Sequence, residues 1–201
     1  MRIAPAMLAL FASVFIAGFA APVQPVAARA GAQCTDWSSI NQPPQTIAVY
    51  RVSEGFVERV DFKHYVARVV SREWNVDQAE LRKAGAVAVK QYAWYHVLHW
   101  RGGMYGSKCF DVRDSTSDQL YSGKPINQIP NTVWNSVNAT WTWRLYRDGK
   151  LPMTGYRRGD RVPCAADAGY KLRARSGKRC AEKGWSAARI LQVYYTANLQ
   201  K

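Results

Sequence analysis

VDFKHYVARVVSREW (residues 60–74) and DQAELRKAGAVAVKQYAWY (residues 77–95) decide the fold of this chain. In the first stretch Phe62, Tyr65, Val66, Val69 and Val70 recur at the spacing that gathers side chains on one helix face, which predicts a helix with a single buried stripe. Glu73 falls on that stripe. An ionised carboxylate turned toward a core is costly unless it is paired. Two readings follow: a structural ion pair with Arg72, Lys83 or Lys90, or a carboxyl group kept for proton transfer.

The second stretch is apolar around most of its circumference from Leu81 to Leu98, the pattern of a helix central to its domain. Lys83 and Lys90, seven apart, share one line along it, with ammonium groups about 10 Å apart at 1.5 Å rise per residue. On so apolar a helix they point to a cleft edge; solvated lysines are the alternative.

Working outward, Asp61 supplies an N-cap for the first helix, and Asp77 with Glu80 forms a capping-box pattern opening the second. TIAVYRV (46–52) and FVERV (56–60), joined by Ser53, Glu54 and Gly55, read as a hairpin. CFDVRDSTSDQLYSG (109–123) is a polar loop-and-strand segment carrying Asp111, Asp114, Asp118 and Gln119. Asn135–Thr140 leads into a strand at Trp141–Tyr146, and the Asp148-Gly149 pair signals a tight hairpin turn. The segment from Cys164 to Cys180 reads as a basic loop. Ser186 caps a last helix with Ala187, Ile190, Leu191, Tyr194 and Tyr195 on one face. The expected class is α+β: a central helix pair packed on short antiparallel strands, a C-terminal helix and two disulfides.

Residues 3–21 are almost wholly apolar, and Ala28 and Ala30 bracket Arg29 in a signal-peptidase pattern, so residues 1–30 read as a signal peptide cleaved after Ala30. An uncleaved anchor is the rival reading, since the run approaches the ~20 residues of a spanning helix. On the first reading the protein is secreted, with an N-terminal arm at residues 31–45 and one domain at 46–201. Cys34, Cys109, Cys164 and Cys180 are an even set in an exported chain, which argues for disulfides. Three pairings can be drawn; Cys164 with Cys180 is the local one and would leave Cys34 to tie the arm to Cys109. A four-cysteine metal site is disfavoured because no CxxC pair is present.

With 28 Lys and Arg against 14 Asp and Glu, the formal charge is +14. Such a chain seeks polyanions. Export removes nucleic acid as a partner and leaves wall glycans, wall phosphates and lipid headgroups. His96 and His99 stand at i, i+3, and a metal pair with Asp111 can be drawn, but ordinary partly buried histidines are the favoured account. Eight tryptophans are many for this length. Most serve the core, Trp141 and Trp143 included, while Trp74 beside Glu73 is a candidate platform for a sugar face.

VDFKHYVARVVSREW, LRKAGAVAVKQYAWY, DSTSDQLYSG and GWSAARILQVYY together resemble the stage II sporulation protein D family, also called the amidase enhancer family, over residues 46–198. The resemblance implies an exported cell-wall protein, with some members lytic transglycosylases and others enhancers of wall amidases. It implies that Glu73 matches the catalytic glutamate of the active members, with peptidoglycan glycan strands as partner and a wall amidase as a second partner; no cofactor is expected, because the zinc ligands of some members are missing from this chain. Lys83, Lys90, Asp114, Gln119 and Tyr121, with Trp74, are the candidates for substrate contact or loop support. The chain departs from the family pattern in several places. Gly85 and Lys90 stand where Gln and Arg are common. Ser117 and Asp118 replace the His and Cys that serve some members as zinc ligands. A Gly-rich, Ser-Gln motif is replaced by GYKLRARSGKRCAEKG. Two rivals to the enzyme remain: a non-catalytic wall-binding or amidase-enhancing module, and a basic surface-adhesion protein.

Overall fold

In the computed structural model, which describes residues 33–121 and 123–201, the chain opens with an irregular arm and then a hairpin, β1 (Thr46–Arg51) and β2 (Phe56–Asp61). They pair antiparallel from Thr46 opposite Asp61 to Arg51 opposite Phe56. Gly55, at φ 69°, makes the turn, its N–H reaching Arg51 O at 2.8 Å. Both faces of β1 are covered: Ile47 and Val49 enter the main core, while Ala48 packs with Cys34 and Phe110 on the other side. The proposed leader, 1–30, lies outside the described residues.

Helix α1 (Phe62–Glu73) follows at once, capped as its sequence dictates by Asp61 Oδ1, which accepts from His64 N at 2.8 Å. The five apolar residues of the predicted stripe are buried, and Glu73 at its end is half-buried. Helix α2 (Ala79–Leu98) is buried on most of its circumference and packs against α1 and three later helices. The Asp77 capping box does not form. The N-cap is Gln78, without a side-chain bond, and Glu80 accepts instead from Lys83 Nζ (2.6 Å) and from Ala187 N (2.7 Å), tying the start of α2 to a distant helix.

Three short strands come next: β3 (Met104–Tyr105), β4 (Lys108–Cys109) and β5 (Val112–Arg113). β3 pairs with β4, and β5 joins β1 in parallel, a departure from an all-antiparallel expectation. Helix α3 (Asn131–Ala139) occupies the region read as a lead-in to a strand. Pro130 precedes it, Val133 and Val137 bury one face, and Thr140 Oγ1 donates to Ser136 O at 2.8 Å. The strand β6 (Arg144–Tyr146) is correspondingly shorter than expected, and Trp141 and Trp143 are half-buried beside it. The Asp148-Gly149 turn forms, both residues at positive φ (53° and 71°), with Arg147 bridged to Lys150.

β7 (Tyr156–Arg157) pairs in parallel with β8 (Leu172–Arg173), and α4 (Ala174–Glu182) lies inside the segment expected to be a loop. Its Ser176, Gly177 and Cys180 are buried while its basic residues point outward, so a helix of poor overall hydrophobicity is held by one narrow face. Ser186 caps α5 (Ala187–Tyr195), whose five predicted core residues are all buried, and β9 (Asn198–Gln200) closes on β6. The cysteines pair Cys34–Cys109 and Cys164–Cys180. The architecture is α+β, and no helix among the described residues is long and apolar enough to cross a membrane.

Candidate active site around Glu73

Glu73 ends α1 where the helix runs out beneath the 115–121 loop and β7. Its Oε1 accepts the Leu120 N–H at 2.6 Å, and its Oε2 accepts the Tyr156 hydroxyl. Tyr156 in turn accepts from Gln119 Nε2 (3.1 Å), which also donates to Val89 O (3.1 Å), while Gln119 Oε1 takes the Tyr65 hydroxyl at 2.8 Å. One chain of hydrogen bonds thus links the α1 stripe to the carboxyl group. Gln119 is fully buried, so its amide has no water to turn to and holds both tyrosines in place.

No Lys or Arg reaches Glu73 within ion-pair distance among the described residues. Burial pushes its pKa above the usual 4.5, opposed by the Tyr156 hydroxyl, the Leu120 N–H and the charge of Arg72. Burial wins, which is the condition a carboxylic acid needs to hold its proton nearer neutral pH. Tyr65 and Tyr156 are pushed well above their ordinary values by burial and by the Glu73 charge. They stay as neutral donors.

The carboxyl group faces a chamber of about 550 Å³ lined by Trp74, Thr116, Asp118, Leu120, Tyr156, Arg157, Arg158 and Ala174. A smaller chamber of about 360 Å³ shares Thr116, Asp118 and Tyr156 with it and adds Tyr92, His96, Arg101 and Lys171. Both volumes suit small-ligand sites. The combination is one proton-transfer group, hydroxyl donors and a cationic rim.

Residues 50–144 match the family model described as Stage II sporulation protein. Those residues carry a SpoIID domain. Such a domain points to a cell-wall-related function. No curated protein matches the chain. The SpoIID match includes Glu73, Leu120 and Gln119 but ends before Tyr156, so the opposite wall comes from chain beyond it.

The residues singled out in the sequence go to different places. Glu73 and Trp74 line the larger chamber, and Gln119 stands behind it as the link between tyrosines. Trp74, however, is 1% exposed: its ring packs on Gly85, where an added Cβ would lie 2.3 Å from the indole, so it is a buried wall and not an open sugar platform. The same contact leaves no room for a side chain at Gly85.

Neither Lys83 nor Lys90 lines either of these two chambers. Lys83 pairs with Glu80 at the start of α2, and Lys90, 2% exposed, donates to the carbonyls of Thr140 (3.0 Å), Trp141 (2.5 Å) and Trp143 (2.6 Å) beyond the end of α3. Burial, reinforced by the charges of Arg144 and Lys63, pushes Lys90 down to about 7. Asp114 accepts from Arg51 Nε (2.8 Å) and Val52 N (2.7 Å), fastening the loop to β1. Tyr121 stacks on Tyr65 and accepts from Arg68. Both are supports.

Ser117 and Asp118 stand where the resemblance would put a His and a Cys, and Asp118 is committed to Tyr92 (3.1 Å), Arg101 (2.6 Å) and the Arg113 N–H (2.8 Å). Among the described residues no group of His, Cys, Asp and Glu is arranged to hold a metal. Asp111, far from pairing with His96, accepts from Thr35 Oγ1 (2.6 Å) and Ala48 N (2.9 Å). Sequence reasoning missed Tyr156, Arg157 and Arg158. Their only signal is the run Tyr-Arg-Arg itself, which carries nothing about a partner 83 residues upstream.

Proposed function

We propose that this SpoIID protein is secreted, binds peptidoglycan glycan strands and cleaves them as a lytic transglycosylase, with Glu73 as acid and then base. The observation that carries the proposal is a carboxyl group facing an open chamber, with its pKa raised by burial and with no cation within ion-pair distance among the described residues. Protonated Glu73 gives its proton to the glycosidic oxygen as the C1–O bond breaks. As carboxylate it then takes the proton of the muramoyl C6 hydroxyl, whose oxygen closes on C1 to give a 1,6-anhydro end. One carboxyl group suffices. Tyr156 and the Leu120 N–H hold the group in place through the step in which it is charged.

One observation favours a second reading, a non-catalytic wall-binding or amidase-enhancing module. Both Glu73 oxygens already have donors, as a structural carboxylate would. Denuded glycan strands incubated with wild type and with Glu73→Gln separate the two. Products with 1,6-anhydro ends by mass spectrometry from wild type alone support the enzyme; binding by both proteins with no product from either supports the module.

A further inference from the structure

The smaller chamber beside Glu73 has a chemistry that proton transfer does not use. Arg101 is fixed there by a 2.6 Å bond from Nη2 to Asp118, whose side chain is fully buried, and its remaining N–H groups have no hydrogen-bond partner among the described residues. Lys171, exposed and also lining the chamber, has no ion pair or hydrogen bond among them either, its stem lying along Gly155. Asp118 is neutralised by Arg101 and approached by Arg113 at 4.0 Å, which leaves a positive surplus facing the cavity. Thr116 and Ser117 add hydroxyl groups at the rim. Buried His96 forms one wall.

We propose that this chamber is a subsite for a carboxylate carried by the glycan strand, such as the free lactyl group of a muramic sugar, with Arg101 and Lys171 as its ligands. The inference rests on the glycan reading of the Glu73 chamber, since the shared wall of Thr116, Asp118 and Tyr156 makes one substrate span both. A planar guanidinium presents parallel N–H groups that match a carboxylate. Neither Arg101 nor Lys171 is within ion-pair distance of Glu73 among the described residues, Arg101 being paired with Asp118, so they can bind an anion without taking the proton-holding character from Glu73.

The His96 ring reports on occupancy. Burial first, and then the charge of Arg101, pushes it down to about 4, so an anion that offsets Arg101 moves it upward. NMR of the histidine rings would follow wild type titrated with N-acetylmuramic acid, N-acetylglucosamine and inorganic phosphate. The expected result is a saturable His96 shift with the carboxylate sugar, affinity about fivefold lower in Lys171→Gln, and recovery in Lys171→Arg. Equal response to N-acetylglucosamine, preference for inorganic phosphate, or indifference to Lys171→Gln overturns the subsite. The two proposals fail separately. Anhydro ends from wild type without any His96 response defeat the subsite alone, whereas a selective His96 response without anhydro ends upholds the subsite and defeats the cleavage.

Discussion

Glu73 is held between opposed forces: burial raises its pKa, and two donors and one nearby cation lower it. Because the folded-state value lies above 4.5, protonation favours the fold. That contribution is complete below 4.5 and is lost as pH rises through the raised value. The proposed first step needs the same protonated form, so cleavage declines across the same interval. Tyr156→Phe removes a donor that favours the charged form, and we expect the Glu73 titration to move higher still, with the alkaline limb of activity following it; carbonyl-carbon NMR of the glutamate checks the shift. Glu73 was legible in the sequence because a lone charge interrupts an apolar helical stripe. Tyr156 was not, because its role comes from a contact across 83 residues that no local period encodes.

At the scale of elements, α1 and α2 touch where the Trp74 ring lies on Gly85. Gly85→Ala should force the indole off the helix and cost about 1–3 kcal/mol, measured by urea unfolding, with a change in tryptophan fluorescence. Lys90 binds α2 to the carbonyls that follow α3. Lys90→Met strands those acceptors and should cost about 3 kcal/mol, whereas Lys83→Gln, removing a part-exposed pair, should cost less than about 1 kcal/mol. Denaturant midpoints distinguish them. The sequence placed both lysines on one line of α2, but not what faces that line at each end. Helices α3 and α4 were illegible for different reasons: the carbonyls after α3 are satisfied by Lys90 from another helix, and α4 buries only Ser176, Gly177 and Cys180, a face too narrow to show as an apolar stripe. By contrast α1, α2 and α5 carry their caps or their stripes in their own residues.

Across the whole molecule, basic charge and two disulfides shape what surrounds the acid. The Cys164–Cys180 bond, at a separation of 16, fastens α4, and Ala174 at the start of that helix lines the chamber with Arg158. Replacing both cysteines by serine should lower stability by about 3 kcal/mol in the chain-entropy model and weaken glycan binding together with it, as calorimetry and sedimentation with sacculi would show. The α+β class and the helix pair could be read from periodicity, while the groove could not, since its walls come from four separate segments of the chain. The Glu73 carboxyl group, unpaired with any cation among the described residues, faces the space they enclose, and its titration is the most direct test. In wild type, the carbonyl-carbon NMR midpoint of Glu73, assigned by its loss in Glu73→Gln, should lie above 4.5; a midpoint at or below 4.5 contradicts the account.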